Sequence, residues 1–277
     1  MKNLPLISVI VPTFNSAEFL DACLQSVKHQ TYQNIELIVV DNFSTDNTKE
    51  IARKYTNKVF SKGFERSAQR NYGVEQSKGA WVAIVDSDME LTKNTVRDCV
   101  EKIASDNKIK GIIIPEESFG KGFWAQCKKL ERSFYVGIGW MEAARFFDRA
   151  AYEKAGGYNE ALVSGEDWDL SQRIETHGHI GRINSYILHN EGNLKLTTTL
   201  HKKYYYAKKF ARYLQGNSSI KISQQIGIPG RYMLYFSQPK RLFRNPLIAI
   251  GMLFMKTCEL GVGAIGFITG RMDRAKK

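Results

Sequence analysis

Residues 81–91 read WVAIVDSDMEL. An apolar run from Trp81 to Val85 meets two acids, Asp86 and Asp88, without transition. Such a run is the pattern of a strand buried on both faces. Its acidic end needs a reason. Side chains alternate along a strand, so Asp86 and Asp88 turn toward one side while Ser87 points away. Two carboxylates that close repel each other unless a cation shares them. Hard divalent ions such as Mg²⁺ or Mn²⁺ take oxygen ligands, and they bind through one or two carboxylates plus substrate phosphates. A solvated turn with acidic caps has the same three residues, so this pattern alone leaves both readings open.

Working outward, the first 110 residues alternate strand and helix. Apolar strands are expected at 6–12, 35–41, 58–60, 81–86 and 109–115, and helices at 17–30, 44–55, 65–77 and 92–105. That alternation predicts an α/β fold with a mostly parallel sheet flanked by helices. In such sheets ligands bind outside the carboxyl ends of the strands, where the acidic end of 81–86 falls. Residues 116–200 read as α+β elaboration: a helix over CKKLERSFYVG, a strand and short helix closed by Gly156-Gly157, and a helix over DWDLSQRIETHG. One domain over 1–200 and a distinct C-terminal region over 201–277 are expected.

The charge is unevenly spread. Residues 1–200 carry 25 Lys/Arg against 26 Asp/Glu, a net of −1, whereas residues 201–277 carry 15 against 2, a net of +13. A basic segment suits either nucleic acid or an anionic membrane surface. The apolar run decides: Leu247 to Thr269 has only Lys256 and Glu259 charged, which excludes nucleic acid as the partner. The run is long enough to cross a bilayer. Each central charge costs about 2.5–3.5 kcal/mol on insertion, although residues three apart on a helix share a face and can pair. Glycines at 251, 261, 263, 266 and 270 weaken a simple span. An interfacial or embedded anchor is therefore expected, with a helical hairpin packed on the domain as the alternative. Met1 to Pro12 shows no small-residue cleavage site. Cys23, Cys99, Cys127 and Cys258 are scattered, which fits a reducing compartment and argues against a zinc site or disulfide framework.

Six short stretches occur in order: ISVIVPTFN (7–15), ELIVVDNFSTDNT (36–48), SAQRNYG (67–73), VDSDMEL (85–91), GGYNEALVSGEDWDLSQRI (156–174) and LHNEG (188–192). Together they resemble the inverting glycosyltransferases of family 2, which have the GT-A fold. The resemblance covers roughly residues 5–195. It implies that Pro12, Phe14 and Asn15 line a nucleotide-sugar site and that Asp41 and Asn42 hold base and ribose. The family usually has two adjacent Asp at this place, and an amide donates as well as accepts, so the base is left open. Arg70 would lie near the nucleotide, Asp86 and Ser87 at the ribose or sugar, and Asp88, with Asp86 and His189, on a Mn²⁺ or Mg²⁺ ion. The E-D pair in SGEDWDL resembles the family's catalytic motif, with Asp167 as base and Glu166 in support. Asp169, two residues along the helix, faces elsewhere.

An inverting transfer needs a carboxylate opposite the leaving diphosphate to take the acceptor's proton. Trp168 is a candidate wall for acceptor or sugar. Glu131, Arg132 and Arg145 are candidates for an anionic acceptor group, since Arg matches phosphate geometry bidentately, with surface ion pairing as the plainer reading. Processive members carry a Q-x-x-R-W motif; QPKRL (238–242) lacks the Trp, which points to single transfers. The expected activity is metal-dependent movement of one sugar, most simply from a UDP-sugar, to a lipid-linked or glycan acceptor at the cytoplasmic face of the cell membrane. The rivals are nucleotidyl transfer, which lacks its Gly-rich phosphate loop here, and a non-catalytic nucleotide-sugar-binding membrane protein.

Overall fold

The computed structural model describes residues 4–216 and 227–275. It divides into two compact units, one of Met1–Glu116, Ala143–Glu160 and Glu166–Asn190, the other of Glu117–Glu142, Ala161–Gly165 and Glu191–Lys277.

The first unit is built on strands β1 (Ile7–Thr13), β2 (Ile35–Asp41), β3 (Val59–Ser61), β4 (Trp81–Ile84), β5 (Met89–Leu91), β6 (Ile109–Ile113), β8 (Ala144–Asp148) and β9 (His179–Arg182), with β7 (Glu116–Lys121) and β10 (Ile187–Asn193) running across the unit boundary. Seven of these form one sheet in the order β3-β2-β1-β4-β8-β6-β9. β1 pairs in parallel with β2 on one side and β4 on the other, and β8 alone runs antiparallel to its neighbours. The expected α/β fold is the one observed.

Both faces of the sheet are covered, which is why β1 is buried throughout. One face packs Val9 and Val11 against α1 (Leu20–Lys28), α2 (Thr48–Arg53) and α4 (Thr95–Ser105). The other packs Ile10 and Ile84 against α3 (Glu65–Glu75), α6 (Arg149–Lys154) and α7 (Glu166–Glu175). Gly73 lets α3 lie close on β1, since a Cβ there would meet Ile10 Cγ2 at 2.4 Å. The chain leaves β1 toward β2 and later returns on the other side as β4. A crevice opens at the carboxyl ends of such diverging strands. β5 and β10 pair antiparallel, with His189 opposite Met89.

The second unit is helical: α5 (Gly122–Ser133), α8 (Leu196–Gly216), short helices at Ile228–Phe236 and Pro239–Leu242, and a continuous helix Pro246–Ala275. Cys127, Phe134, Tyr235, Leu242, Met252 and Met255 form its core. The two charges inside the apolar run are both buried there. Lys256 Nζ lies 2.7 Å from Glu259 and also pairs with Glu131 of α5. Lys128 sits 2.9 Å from Glu131 and 3.5 Å from Glu259. Two lysines and two glutamates thus neutralise one another, with the Tyr135 hydroxyl on Glu131. This explains why residues 117–142 group with the C-terminal segment. The glycines of the run serve packing: a Cβ at Gly266 would lie 2.6 Å from Tyr204 O, and one at Gly270 2.2 Å from Lys208 O. These pairings advance together, so α8 and the C-terminal helix run parallel.

Candidate active site

The crevice of the first unit is framed by the ends of β1, β2 and β4. Gln69 of α3 holds the first two, its amide donating to the Thr13 and Val40 carbonyls at 2.8 and 2.6 Å. Asp41 has no exposed surface. It accepts from the Thr13 hydroxyl at 3.0 Å and from Ser44 N–H at 2.9 Å, with Lys49 at 3.5 Å. Asp41, expected at base and ribose, has its carboxylate turned to the loop after β2, which it braces. Pro12 is likewise buried inside β1, paired with Val40, and lines no surface.

Phe14 and Asn15 are exposed beyond the strand end, and Asn42 is half-buried. Asn15 Oδ1 accepts Thr45 N–H at 2.9 Å, which ties this loop to the one after β2. Ser87 donates to Ser16 Oγ at 2.8 Å. Phe43, in the left-handed region at φ 53° and well exposed, stands at the end of β2 without having been singled out from the sequence.

Arg70 is the hub. Its side chain is wholly buried, with Nη2 2.7 Å from Asp86 and Nη1 3.1 Å from Asp167 and 3.4 Å from Glu166. Its guanidinium also stacks over the Tyr158 ring at 4.9 Å. Arg70, expected beside the nucleotide, joins the acidic strand end to the E-D pair. Gln69, Arg70 and Asn71 point in three directions because helix positions turn by about 100° per residue. Asn71 clamps the Gly156-Gly157 loop: Oδ1 accepts Tyr158 N–H at 2.8 Å and the Tyr152 hydroxyl at 2.7 Å. Gly157, at φ 66°, could carry no side chain there, since a Cβ would lie 2.7 Å from Asn71 Oδ1. The loop delivers the Tyr158 hydroxyl to Asp167 Oδ1 at 3.0 Å.

Arg145 of β8 is the second cation. Nε meets Glu116 at 2.9 Å, Nη1 approaches Asp86 at 3.3 Å and Nη2 approaches Asp167 at 3.6 Å. It is a buried ion partner and not a surface one. Glu131 is buried in the charged cluster of the second unit, and Arg132 lies 3.6 Å from Glu191 there. Glu131 has both carboxylate oxygens occupied by lysines. Trp168 is half-buried, and Asp169 faces away, paired with Arg173.

The electrostatics separate the carboxylates. Burial alone would raise Asp86, but Arg70 and Arg145 beside it, with Arg66, outweigh burial and hold its carboxyl well below the usual range. Glu166 is pushed up, by burial first and then by adjacent Asp167, against the pull of Arg66 and Arg70. Asp167 is the more open of the E-D pair, with side-chain exposure of 24% against 4% for Glu166. Its Oδ1 takes the Tyr158 and Arg70 donors, while Oδ2 has Arg145 at 3.6 Å.

Asp88 pairs with His189, whose Nδ1 lies 3.8 Å from Glu116. The β5–β10 ladder brings Asp88 and His189 together, with Asn190 N–H on Asp88 O at 2.8 Å and His189 Nε2 at 3.3 Å from Asp88 Oδ2. Asp86 does not join them, because its carboxylate is drawn to two guanidinium groups. Among the described residues no three His, Cys, Asp or Glu side chains converge as a ready metal cage. A carboxylate oxygen and an imidazole nitrogen at this separation do suit a divalent ion whose remaining ligands are substrate phosphates. Glu116 and Tyr158 carry the arrangement without having been singled out. Tyr158 sat in a quoted motif without a role, and Glu116 had no sequence signal.

The doubly covered sheet with its acidic crevice at the β1/β4 divergence is the GT-A architecture. The family model for "Glycosyl transferase family 2" matches residues 8–152, just over half the chain, and the protein belongs to that family. Among curated proteins, it is 38% identical over 106 residues to glycosyltransferase GlyG of Streptococcus pneumoniae, covering 35% of each chain. It is 43% identical over 96 residues to glycosyltransferase AglE of Haloferax volcanii, covering 31% of this chain and 32% of that one. The chain thus spans about a third of the length of these relatives. Among solved structures, a mannosyltransferase from Pyrobaculum calidifontis in complex with GDP-Man and Mn²⁺ superposes with TM-score 0.64 at 16% identity, over 96% of this chain and 88% of that one. S. aureus TarS 1–349 in complex with UDP-GlcNAc gives TM-score 0.56 at 18% identity, over 96% and 92%. At these identities the likeness is one of fold.

Proposed function

We propose that this chain transfers one sugar from a nucleotide-sugar donor to an acceptor hydroxyl, with inversion at the anomeric carbon. The observation that carries the reading is the convergence of Asp86, Asp167 and Glu166 on buried Arg70, at the strand end where Asp88 meets His189. In this reading Asp167 is the base. Its Oδ2 takes the acceptor's proton as the acceptor oxygen bonds to the anomeric carbon and the carbon–oxygen bond to the diphosphate breaks. Tyr158 and Arg70 fix the carboxylate's rotamer through Oδ1. Glu166, pushed up and nearly buried, supports Arg70 rather than the substrate. Phe14, Asn15, Asn42 and Ser87 face the nucleotide sugar, and Asp86 orders the arginines behind it.

Asp88 and His189 would hold a Mn²⁺ or Mg²⁺ ion, which would neutralise charge on the leaving nucleoside diphosphate. A UDP-sugar is the first donor to try, in keeping with the UDP-GlcNAc complex of TarS, and a GDP-sugar the second. The acceptor we propose is a lipid-linked glycan at the cytoplasmic face of the cell membrane, with residues 1–200 carrying the chemistry and residues 201–277 the membrane contact. The long apolar stretch Pro246–Asp273 is compatible with that division.

The test is Asp167→Asn, assayed for transfer from UDP-, GDP-, dTDP- and CMP-sugars to a polyprenyl-diphosphate-linked acceptor, with donor binding measured by calorimetry. Transfer should fall by about 10²–10⁴-fold while donor binding persists. Undiminished transfer by the variant would remove Asp167 as base. Failure of the wild type to bind any of the four donors, with or without Mn²⁺, would remove the whole reading.

A further inference from the structure

The C-terminal helix Pro246–Ala275 has two unlike faces. One is spent inside the second unit, where Ala249, Met252, Lys256, Glu259, Gly266 and Gly270 are buried. The other carries Leu247, Ile250, Phe254, Ile265, Ile268 and Met272, each 55–68% exposed. Spacings of three, four and eleven residues keep these six on one stripe. Lys256 and Glu259 are the only charged residues between Arg244 and Arg271, and both face inward on 2% exposure. The exposed face is therefore uncharged from one arginine to the other, and both arginines are exposed. Met233, Phe236 and Phe243 add exposed apolar side chains just before it, among exposed Lys240 and Arg241.

We propose that this stripe docks on an anionic bilayer surface with the helix lying in the membrane plane rather than crossing it. An apolar face with cations at its borders matches acyl chains beneath anionic head groups, and guanidinium groups suit lipid phosphates. A crossing is opposed by the helix's own partners. Its second half is held against the backbone of α8 at Tyr204 and Lys208, and α8 brings exposed Lys202 and Lys209. Its first half is held against α5, where a Cβ at Gly251 would meet Phe123 and Cys127, beside the cluster of two lysines and two glutamates. Carrying these into hydrocarbon would strand charges that the fold now neutralises. Lying in the plane leaves every one of these contacts in place. A second copy is the competing occupant, since the same spacing makes a coiled-coil seam. Arg244 and Arg271 would then face the cations of another segment of net +13, which opposes pairing. The proposal deepens the membrane contact proposed above and does not depend on the sugar-transfer chemistry.

The experiment is flotation of the full chain with vesicles of phosphatidylcholine alone, or with phosphatidylglycerol added, at low and high salt. Two variants accompany it: Ile250→Gln/Phe254→Gln/Ile268→Gln, and Arg244→Glu/Arg271→Glu. All five positions are exposed, so both variants should keep the wild-type melting temperature and circular dichroism. The wild type should float with the anionic vesicles, less with neutral ones, and less in high salt. The glutamine variant should lose flotation on both, and the glutamate variant on anionic vesicles. Asp167→Asn should float like wild type whatever its activity, which separates this test from that of the catalytic reading. Wild type that stays at the bottom with anionic vesicles overturns the proposal, and a dimer dissolved by the glutamine variant would hand the stripe to a second copy. Flotation that survives both variants and resists alkaline carbonate would overturn the in-plane placement in favour of a span.

Discussion

Replacing Arg70 tests the arrangement at its centre. The side chain is wholly buried and within 3.4 Å of three carboxylates, on Asp86, Asp167 and Glu166. Arg70→Met keeps most of the volume and removes the charge. Breaking a buried ion pair from one side costs about 3–5 kcal/mol, which lowers the melting temperature by roughly 6–20 °C for a unit of this size. The pH dependence gives a second reading. Asp86 is depressed in the native state, so its contribution is fully present above its unfolded value of about 3.9 and is lost only as pH falls through the native one. Wild type therefore keeps that contribution at pH 7 and at pH 5. Glu166 is raised, so its charged form is a cost at neutral pH that is relieved as pH falls through its native value. In Arg70→Met the carboxylates lose their shared cation and take up protons more readily, so the deficit should shrink between pH 7 and pH 5. Arg70→Lys should fall between the two, since a point charge cannot meet three carboxylates at once. Urea and thermal denaturation at both pH values measure this. A variant within about 1 kcal/mol of wild type at pH 7, or a deficit equally large at pH 5, would refute the hub.

Asp88→Ala should abolish the Mn²⁺-dependent part of thermal stabilisation by a nucleoside diphosphate, which for wild type reaches about 2.7 kcal/mol at a hundredfold excess over Kd; stabilisation unchanged in the variant would move the ion elsewhere. Lys256→Met should cost about 3–5 kcal/mol, whereas Lys256→Met/Glu259→Leu should recover most of it, because Lys128 and Glu131 remain a neutral pair. A double variant as unstable as the single one, in urea titrations, would contradict the four-charge cluster. Gly270→Ala puts a Cβ 2.2 Å from Lys208 O and should loosen α8 from the C-terminal helix by about 1–3 kcal/mol, read as faster amide exchange in both helices.

The fold was legible because apolar runs and helical periods alternate plainly over the first 110 residues, and burial on both faces leaves parallel strands no other composition. The ends of those strands were legible too: Asp86 and Asp88 stand where the apolar run stops. Partnerships across the chain were not. Arg70 and Asp167 are ninety-seven positions apart, and Asp88 and His189 meet only through the β5–β10 ladder. The bracing role of Asp41 was not legible, because Thr13 and Ser44, whose hydroxyls it accepts, reach it only in the fold. Arg145 was singled out for an anionic acceptor group but not for Glu116, since an arginine on one strand and a glutamate before another become partners only through strand order. In the C-terminal helix, the buried charges and the glycines both looked like faults in an apolar run. They are the face that packs.

The two acids of the opening stretch end in different company, and the charge balance explains the consequence. Arg70 and Arg145 lie among Asp86, Glu116, Glu166 and Asp167, and both are committed to those carboxylates. Neither is presented to solvent, so neither is placed to neutralise an incoming diphosphate without abandoning a buried acid. Asp88, with side-chain exposure of 39%, has neither arginine beside it among the described residues and pairs with His189. A nucleoside diphosphate entering here adds negative charge to a crevice whose central cations are already spent, which is the circumstance in which a divalent ion on Asp88 and His189 has most to contribute. The arginines and the ion would then divide the labour: the first keep the acids of strand and helix in register, and the second answers the charge that arrives with the donor.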